Sequence, residues 1–222
     1  MKWEITKEWE GQDAFILGGG PSLRGFDWSK FEGRNTIGCN SAYILGPRVA
    51  KLCLFSDNDW FEKNEDGLMA YSFAGGRCVT HCEYVPRDLH WVSCLERQMK
   101  FFLDDGTIYH GYGGNSGSAA LHLALLMGAR RVFLFGFDGA LGQHGESNWH
   151  DRAIESPNAK VYIKFNTAWD VISTEYRKVF PGTEIYNCNP NSAITHFIKT
   201  EPDMALEGWC GGFTTSKKEA VA

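Results

Sequence analysis

Short apolar runs, each followed by glycine or a polar residue, are the feature that most limits how this 222-residue chain can fold. They alternate with longer stretches of helical periodicity, which is typical of helices packed around a parallel sheet. The predicted strands are residues 14–17, 35–39, 51–55, 77–80, 90–93, 131–135 and 184–186. We therefore predict an α/β fold, a Rossmann-like, doubly wound and mostly parallel sheet with a long lid loop.

Three helices and one long loop complete the predicted outline. Residues 119–127 form an apolar helix that ends at Gly128, where a helix commonly stops. A second helix is predicted over 166–180, and a short third one over 192–198. The polar, glycine-containing segment 139–163 is predicted to be a lid loop, since long loops in compact domains commonly serve binding.

The whole pattern fits one nucleotide-binding transferase domain over residues 1–213, followed by a flexible tail over 214–222. Trp3, Trp9 and Trp209 are suited to covering an interface, so a homo-oligomer is one expectation.

Composition excludes several classes of protein. With 14% aromatic residues and no long polar tract, intrinsic disorder is excluded. The net charge is −5 and no basic cluster is present, which argues against stable coating of nucleic acid. The longest apolar run, 119–127, is far shorter than the roughly 20 residues of a membrane span. The first four residues lack an apolar signal core, so a cytoplasmic location is expected.

Seven cysteines, an odd number without a secretory signal, favour free thiols over a disulfide framework. Cys78, His81 and Cys82 could supply three zinc ligands, but no second pair lies at zinc-finger spacing. Buried strand thiols are the better interpretation.

A glycine loop follows the first predicted strand and is the first candidate binding motif. Gly18, Gly19, Gly20 and Pro21 lack bulky side chains, so backbone N–H groups could approach a phosphate, and Ser22 could donate its hydroxyl. The motif is neither the dinucleotide G-x-G-x-x-G pattern nor a P-loop. The alternative is a plain tight turn.

Other polar residues also follow predicted strands or open a helix. Asn115, Ser116 and Gly117 precede the apolar helix, whose N-terminus would attract an anion, although an ordinary N-cap needs the same residue types. Asn40 and Asp138 each follow a strand. Because ligands in an open α/β sheet collect beyond the carboxyl ends of the strands, we predict a shared nucleotide site there.

Asp57-Asn58-Asp59 has the D-x-D form that many nucleotide-sugar enzymes use to hold a divalent cation. Carboxylate oxygens at a strand end suit Mg²⁺ or Mn²⁺, the one cofactor that the sequence suggests. The alternative is a solvated turn.

Histidines in the predicted lid are candidates for the catalytic base. His144 and His150 could deprotonate a hydroxyl, with Tyr162 nearby, although exposed loop histidines without a role are the alternative. His110 is a further candidate, whereas His122 falls inside the apolar helix and is predicted to be structural.

Four blocks in the same order resemble bacterial sialyltransferases of glycosyltransferase family 42. They equally resemble the wider group that includes motility accessory factors and the archaeal hydroxymethyl-dihydropterin diphosphokinase. The blocks are the G-x-G-P-S-L loop at 16–23, Gly-Cys-Asn at 38–40, the S-G-helix-Gly-strand-G-[IF]-D unit at 115–138, and the final strand with its Asn-Ser helix start at 184–198.

The resemblance implies that a CMP-linked donor contacts the residues that match the family's binding blocks, here Gly18, Gly20, Ser22, Asn40, Ser116 and Gly117. In those sialyltransferases a histidine after the G-[IF]-D strand is the base, two tyrosines assist the leaving phosphate, and no metal is required. The block that should hold the histidine reads Phe-Asn-Thr at 165–167 here, so His144 or His150 would substitute.

The leading hypothesis is a glycosyltransferase that moves a sugar from a CMP- or UDP-linked donor to a hydroxyl acceptor. The acceptor would be a glycan or, because related proteins occur in phages, a modified DNA base. Two alternatives remain: a Mg-ATP-dependent pterin-type diphosphokinase, with the metal near Asp57, Asp59 or Asp138, and a nucleotide-binding protein without catalysis.

Overall fold

The computed structural model describes residues 2–100, 102–111, 114–150 and 158–207. The strands are β1 (Asp13–Leu17), β2 (Thr36–Cys39), β3 (Leu52–Phe55), β4 (Arg77–Thr80), β5 (Val92–Cys94), β6 (Arg97–Gln98), β7 (Ile108–Tyr109), β8 (Arg131–Phe135), β9 (Glu184–Asn187) and β10 (Ile198–Lys199). The helices are α1 (Asn58–Phe73), α2 (Ser116–Leu126), α3 (Lys160–Val179) and α4 (Pro202–Leu206). The predicted tail, Trp209 and Cys210 lie outside the described residues.

Eight strands form one sheet in the order β10-β9-β8-β1-β2-β3-β4-β5, and every pairing in it is parallel. Strands β6 and β7 form a separate two-stranded parallel pair. From β1 the chain builds the sheet outward through β2, and it later returns to place β8 on the other side of β1. The predicted α/β fold is confirmed, and the crevice between β1, β2 and β8 is a topological switch point.

Apolar side chains cover both faces of the sheet, as parallel strands require. Along β1, Ala14 and Ile16 face the core shared with α2 and α3. Phe15 and Leu17 face the other side, where the 3₁₀ turns after β1 and β2 and helix α4 pack. Helix α1 covers the β3–β4 part of this second face. The result is three layers, with the strand ends free to form a site.

Helix α1 is absent from the sequence prediction, which interpreted its start as a turn or a metal motif. Its buried residues are Trp60, Phe61, Leu68 and Tyr71, and most of the others are polar, so the helical spacing is hard to recognise. Helix α3 begins at Lys160 rather than at residue 166, so the last four residues of the predicted lid, 160–163, are helical. Residues 151–157 of that lid are outside the described part.

The helix predicted over 192–198 is wrong. Ser192 instead follows a turn at residues 190–191, and its hydroxyl donates to Phe137 O at 2.6 Å and accepts from Asn187 Nδ2 at 2.9 Å. The backbone N–H of Ala193 donates to Asp138 O at 2.7 Å. These bonds hold the segment against the end of β8, and the chain then continues into β10.

The state of the cysteines and the lengths of the apolar helices agree with the sequence-based predictions. The six described cysteines are free thiols, five of them buried. Within the described ranges, no helix is both long and apolar enough to cross a bilayer.

Candidate functional site

A cavity of about 580 Å³ opens beyond the carboxyl ends of β1, β2, β3 and β8. Most of the predicted site residues line it, namely Gly18, Gly19, Gly20, Asn40, Asp57, Asn115, Ser116, Gly117, Asp138, His150 and Tyr162. Four predicted residues do not line it, namely Pro21, Ser22, Asp59 and His144. Separate segments of the chain therefore meet at one edge of the sheet, as the strand-end pattern indicates.

The glycine loop, residues 18–22, lies against the end of β8. Gly18 N–H donates to Phe135 O at 2.8 Å, and Gly20 N–H donates to Gly136 O at 2.9 Å. A Cβ atom on Gly20 would lie 2.5 Å from Gly136 O. The glycines thus permit close approach of two backbone segments. The hydrogen bonds between these segments use two of the three glycine amides that could otherwise bind a phosphate. In the described part of the chain, the Gly19 amide has no acceptor.

Asp138, at the end of β8, joins the glycine loop to the segment that follows β9. Its carboxylate accepts from Ser22 N–H at 2.8 Å, from the Ser22 hydroxyl, and from Asn189 Nδ2 at 2.8 Å. The Ser22 hydroxyl is therefore directed at Asp138 rather than into the cavity. Pro21 opens the 3₁₀ turn that brings Ser22 there. Although Asp138 lines the cavity, its carboxylate oxygens already accept hydrogen bonds from Ser22 and Asn189 and so fix the position of the glycine loop.

The start of α2 forms a second wall of the cavity. Asn115 caps the helix, because its Oδ1 accepts from Ser118 N–H at 3.0 Å. Within the described residues, no acceptor is present for the backbone amides of Ser116 and Gly117. A Cβ on Gly117 would lie 2.6 Å from Phe137 Cε1, so this glycine allows α2 to approach the end of β8. Two open amides at a helix N-terminus suit an anion.

A hydrogen-bonded chain of side chains runs behind this wall. Ser116 Oγ donates to Asn40 Oδ1 at 3.0 Å, and the hydroxyl oxygens of Ser116 and Ser56 are 3.3 Å apart. Ser56 Oγ lies 2.9 Å from His81 Nε2. Asn40, with φ +50°, is the non-glycine residue with positive φ in the described chain. Sequence reasoning missed Ser56 and did not place His81 here, although both directly follow strands.

His81 and His110 form a pair beside the cavity, with ring centroids 4.6 Å apart. Burial, and after it the neighbouring His110, lower the pKa of His81 to about 3. Burial also lowers the pKa of His110, which lines the cavity, and the positive charge of Arg97 acts in the same direction. Both imidazoles are therefore neutral near pH 7.

Cys78, His81 and Cys82 do not form a zinc site in the structure. The Cys78 thiol donates to Leu68 O at 3.4 Å, and His81 contacts Ser56 instead. Burial raises the pKa of Cys78 to about 12, which disfavours the thiolate that a metal requires. In the described ranges, no group of three or more histidine, cysteine or acidic residues is placed to hold a metal ion.

The two members of the D-x-D motif are separated by the start of α1. Asp57 precedes the helix and lines the cavity, whereas Asp59 lies on the first turn, is exposed, and does not line it. Trp60, from the same turn, also lines the cavity. The spacing that suggests a paired carboxylate site therefore brings one carboxylate and one indole to the site.

Residues 139–150 of the predicted lid are attached to the glycine loop. Trp149 donates its backbone N–H to Gly19 O at 2.9 Å and its indole N–H to Gly18 O at 3.0 Å. The next residue, His150, lines the cavity. His144 is exposed on a turn, where its backbone N–H donates to Glu146 Oε2 at 2.9 Å. The two candidate bases thus differ in their access to the cavity.

Helix α3 supplies the opposite side of the cavity. Tyr162 is half-buried, and both burial and the negative charge of Asp138 raise its pKa, so the phenol remains a hydrogen-bond donor. Lys164 is the lysine or arginine among the described lining residues, and Phe165 and Trp169 add aromatic surface. Tyr162 was predicted as a site residue, whereas Lys164, Phe165 and Trp169 were not.

His122 is structural, as predicted. Its Nδ1 accepts from Tyr109 N–H at 2.9 Å, and its Nε2 donates to Leu103 O at 2.8 Å. Burial lowers its pKa to about 4, so it is a neutral core residue away from the cavity.

The chain matches no protein-family model and no curated protein sequence. Two solved structures are similar. The sialyltransferase CstII from Campylobacter jejuni, in complex with the substrate analogue cytidine-5'-monophosphate, has a TM-score of 0.54 and 16% identity. The match covers 88% of this chain and 87% of that one.

The second similar structure is the MAf glycosyltransferase from Magnetospirillum magneticum AMB-1, with a TM-score of 0.58 and 14% identity. The match covers 93% of this chain and 38% of that longer one. Identities this low show the fold alone. This chain has the fold shared by the sialyltransferase and motility-accessory-factor glycosyltransferases.

Proposed function

We propose that this protein is a nucleotide-dependent glycosyltransferase that moves a sugar from a nucleotide-activated donor to a hydroxyl acceptor. The observation that carries the proposal is the cavity at the switch point of the sheet, where Asn40 and the open amides of Ser116 and Gly117 meet. The similar CstII structure holds a cytidine monophosphate, which supports a CMP-linked donor as the first candidate.

In this proposal, the α2 wall binds the donor phosphate. Ser116 and Gly117 offer N–H groups, and Lys164 on the facing helix contributes positive charge to the same cavity. Such preorganised donors stabilise the negative charge that grows on a departing phosphate. Trp60 and Phe165 provide aromatic surface on which a base could stack.

His150 is the proposed catalytic base and Tyr162 the proposed donor to the leaving phosphate. Both line the cavity, and the raised pKa of Tyr162 keeps its proton available. His144 has no comparable support, because it is exposed and does not line the cavity. Most of the rate enhancement would come from holding donor and acceptor hydroxyl in reactive orientation.

A metal ion remains part of the proposal only at Asp57, which lines the cavity. Asp59 has no such support. A single carboxylate could share a Mg²⁺ or Mn²⁺ ion with phosphate oxygens of the donor.

Nucleotide binding is tested by thermal unfolding with CMP, UDP, GDP and ATP, each with EDTA, Mg²⁺ or Mn²⁺. We expect a cytidine or uridine nucleotide to raise the unfolding midpoint, because binding to the native state stabilises it. If no nucleotide shifts the midpoint, the proposal fails. Stabilisation by ATP with Mg²⁺ but by none of the other nucleotides would instead favour the diphosphokinase.

Catalysis is tested by release of the nucleotide from CMP- and UDP-linked sugars, with glycans and hydroxymethylated DNA as acceptors. His150→Ala should reduce turnover by about 10²- to 10⁴-fold, the usual contribution of a general base. His144→Ala is the matched control and should leave turnover unchanged. Tight binding without turnover of any donor would select the non-catalytic alternative.

A further inference from the structure

We propose that His81 and Ser56 are positioning residues that lock the carboxamide of Asn40 as a hydrogen-bond donor toward the bound nucleotide. This inference rests on the proposed nucleotide site. It adds two residues that were not predicted to take part in that site. It follows from counting protons along the chain of side chains behind the α2 wall.

The direction of the chain is fixed at Asn40. Its Oδ1 can only accept, so the Ser116 hydroxyl 3.0 Å away must donate to it. A hydroxyl carries one proton, and that of Ser116 is now used. At the 3.3 Å contact between the two hydroxyl oxygens, Ser56 must therefore be the donor and Ser116 the acceptor.

The same count assigns the tautomer of His81. Because the Ser56 proton points to Ser116, the 2.9 Å contact between Ser56 Oγ and His81 Nε2 requires that Nε2 carries the hydrogen. Nδ1 is then an unprotonated acceptor, and it has no hydrogen-bond partner among the described residues. His81 is only 1% exposed, so the ring cannot readily exchange this bond for one to water.

Burial supports the neutral form that this arrangement needs. The pKa of His81 is lowered to about 3, first by burial and then by His110. Arg97 also acts on His81 as a nearby positive charge. A neutral ring donates through one nitrogen only, which gives the whole chain one direction, from His81 through Ser56 and Ser116 to Asn40.

The consequence lies at Asn40. Since its Oδ1 is held by Ser116, its Nδ2 is the group left to contact a ligand in the cavity that Asn40 lines. The backbone of Asn40 has φ +50°, a region that disfavours most side chains but tolerates asparagine. Such strain persists where surrounding contacts enforce it. The ligand atom facing Nδ2 must be an acceptor, such as a carbonyl or ring nitrogen of the base or a ribose oxygen.

The binding test uses calorimetry with CMP, or with whichever nucleotide of the panel stabilises the wild type. Ser56→Ala and His81→Leu should each weaken binding about tenfold, the effect of losing one orienting hydrogen bond. His81→Gln places an amide N–H near the position of Nε2 and should recover most of the affinity. Asn40→Asp, which replaces the donor by an acceptor, should weaken binding more than either.

A matched control separates loss of stability from loss of orientation. His122→Gln alters an equally buried histidine that makes no contact with the hydrogen-bonded chain from His81 to Asn40. It should therefore lower the unfolding midpoint and leave nucleotide affinity unchanged. If Ser56→Ala and His81→Leu bind within twofold of the wild type, the positioning role is excluded. Equal weakening by His81→Gln and His81→Leu would also exclude it.

A second measurement needs neither a variant nor a ligand. Long-range ¹H–¹⁵N NMR of the wild-type histidine rings should show His81 neutral at pH 6–8 and protonated at Nε2. Protonation at Nδ1, or a charged ring, would overturn the assigned direction. If no nucleotide binds but the NMR result is as expected, the proposed function fails while the hydrogen-bonded chain stands.

Discussion

Two walls of one cavity, the glycine loop and the start of α2, have the same predicted role but different structures. In the glycine loop, Gly18 and Gly20 donate their amides to the end of β8. At the start of α2, the amides of Ser116 and Gly117 have no acceptor among the described residues. In the first wall the protein itself uses two of the three glycine amides, whereas the two amides of the second wall are open to a ligand.

The difference shows that a glycine-rich turn after a strand has two distinct uses. One is to expose amides to an anion, and the other is to let two backbone segments approach closely. The sequence does not distinguish them, because both uses require the missing side chain. What distinguishes them here is Gly136 O, which a Cβ on Gly20 would approach to 2.5 Å. Substitutions in the first wall should therefore affect stability, and those in the second should affect binding.

The largest effect is expected for Gly20→Ala. The new Cβ would also lie 2.6 Å from Asp138 Cγ, and neither backbone nor carboxylate can move freely. We expect a loss of about 3 kcal/mol in unfolding free energy, measured by denaturant titration. Gly19→Ala is the control: its Cβ meets only the flexible end of Asn148, so the loss should stay below about 1 kcal/mol. Equal losses would remove the basis of the comparison.

Asp138→Asn should have the next largest effect. The carboxylate accepts three hydrogen bonds, from Ser22 and Asn189, and an amide can accept only through one oxygen. The unfolding free energy should fall by about 2 kcal/mol, because buried donors lose a charged acceptor. Asp59→Asn, an exposed position outside the cavity, should change it by less than about 1 kcal/mol. A strong loss of nucleotide affinity without loss of stability would contradict the framework role.

Acid should destabilise the α2 side of the cavity in particular, because His81 lies behind that wall. Its pKa is lowered to about 3 in the folded protein, below the unfolded value near 6.5. The stability it contributes is therefore complete above pH 6.5 and is lost as the pH falls from there toward 3, by about 1.4 kcal/mol per pH unit.

The measurement is unfolding free energy against pH for the wild type and His81→Gln. The variant should lose one histidine's share of the acid slope, and His122, with its pKa lowered to about 4, should account for another share. Gly19→Ala should retain the wild-type slope. An unchanged slope in His81→Gln would show that His81 is not neutral in the folded state.

The smallest effect is expected at the helix cap. Asn115→Ala removes the acceptor for Ser118 N–H and should reduce stability by about 1 kcal/mol. Asn115→Asp keeps that acceptor, so stability should be preserved. Both variants remove Asn115 Nδ2, a buried donor without a partner in the described residues, and both should bind the nucleotide more weakly. Unchanged affinity in both would indicate that this donor does not face the ligand.

The strands and the edge where the site forms could be predicted from sequence, because buried parallel strands are continuous apolar runs that end in polar residues. Asn40 and Ser116, 76 residues apart, are in contact as that pattern implies. His81 also directly follows a strand, but the neighbouring cysteines led to its interpretation as a zinc ligand.

Features set by tertiary contacts could not be predicted. The segment that begins at Ser192 has a helix-capping sequence, yet the Ser192 hydroxyl bonds to Phe137 O and the segment forms no helix. Ser22 has the residue type of a phosphate ligand, but its hydroxyl is used by Asp138, which is 116 residues away. In both cases the hydroxyl bonds to a partner that is distant in sequence. The local sequence pattern does not reveal such a partner.

The pairing of β1 with β8 has a consequence for the order of assembly. Asp13 and Arg131 are partners across 118 residues, so the centre of the sheet forms by a long-range encounter, which is intrinsically slow. Until β8 arrives, β1 has one unpaired edge and Gly18 and Gly20 lack their acceptors. The same docking event therefore completes both the hydrophobic centre and the binding cavity, and a chain caught before it would have neither.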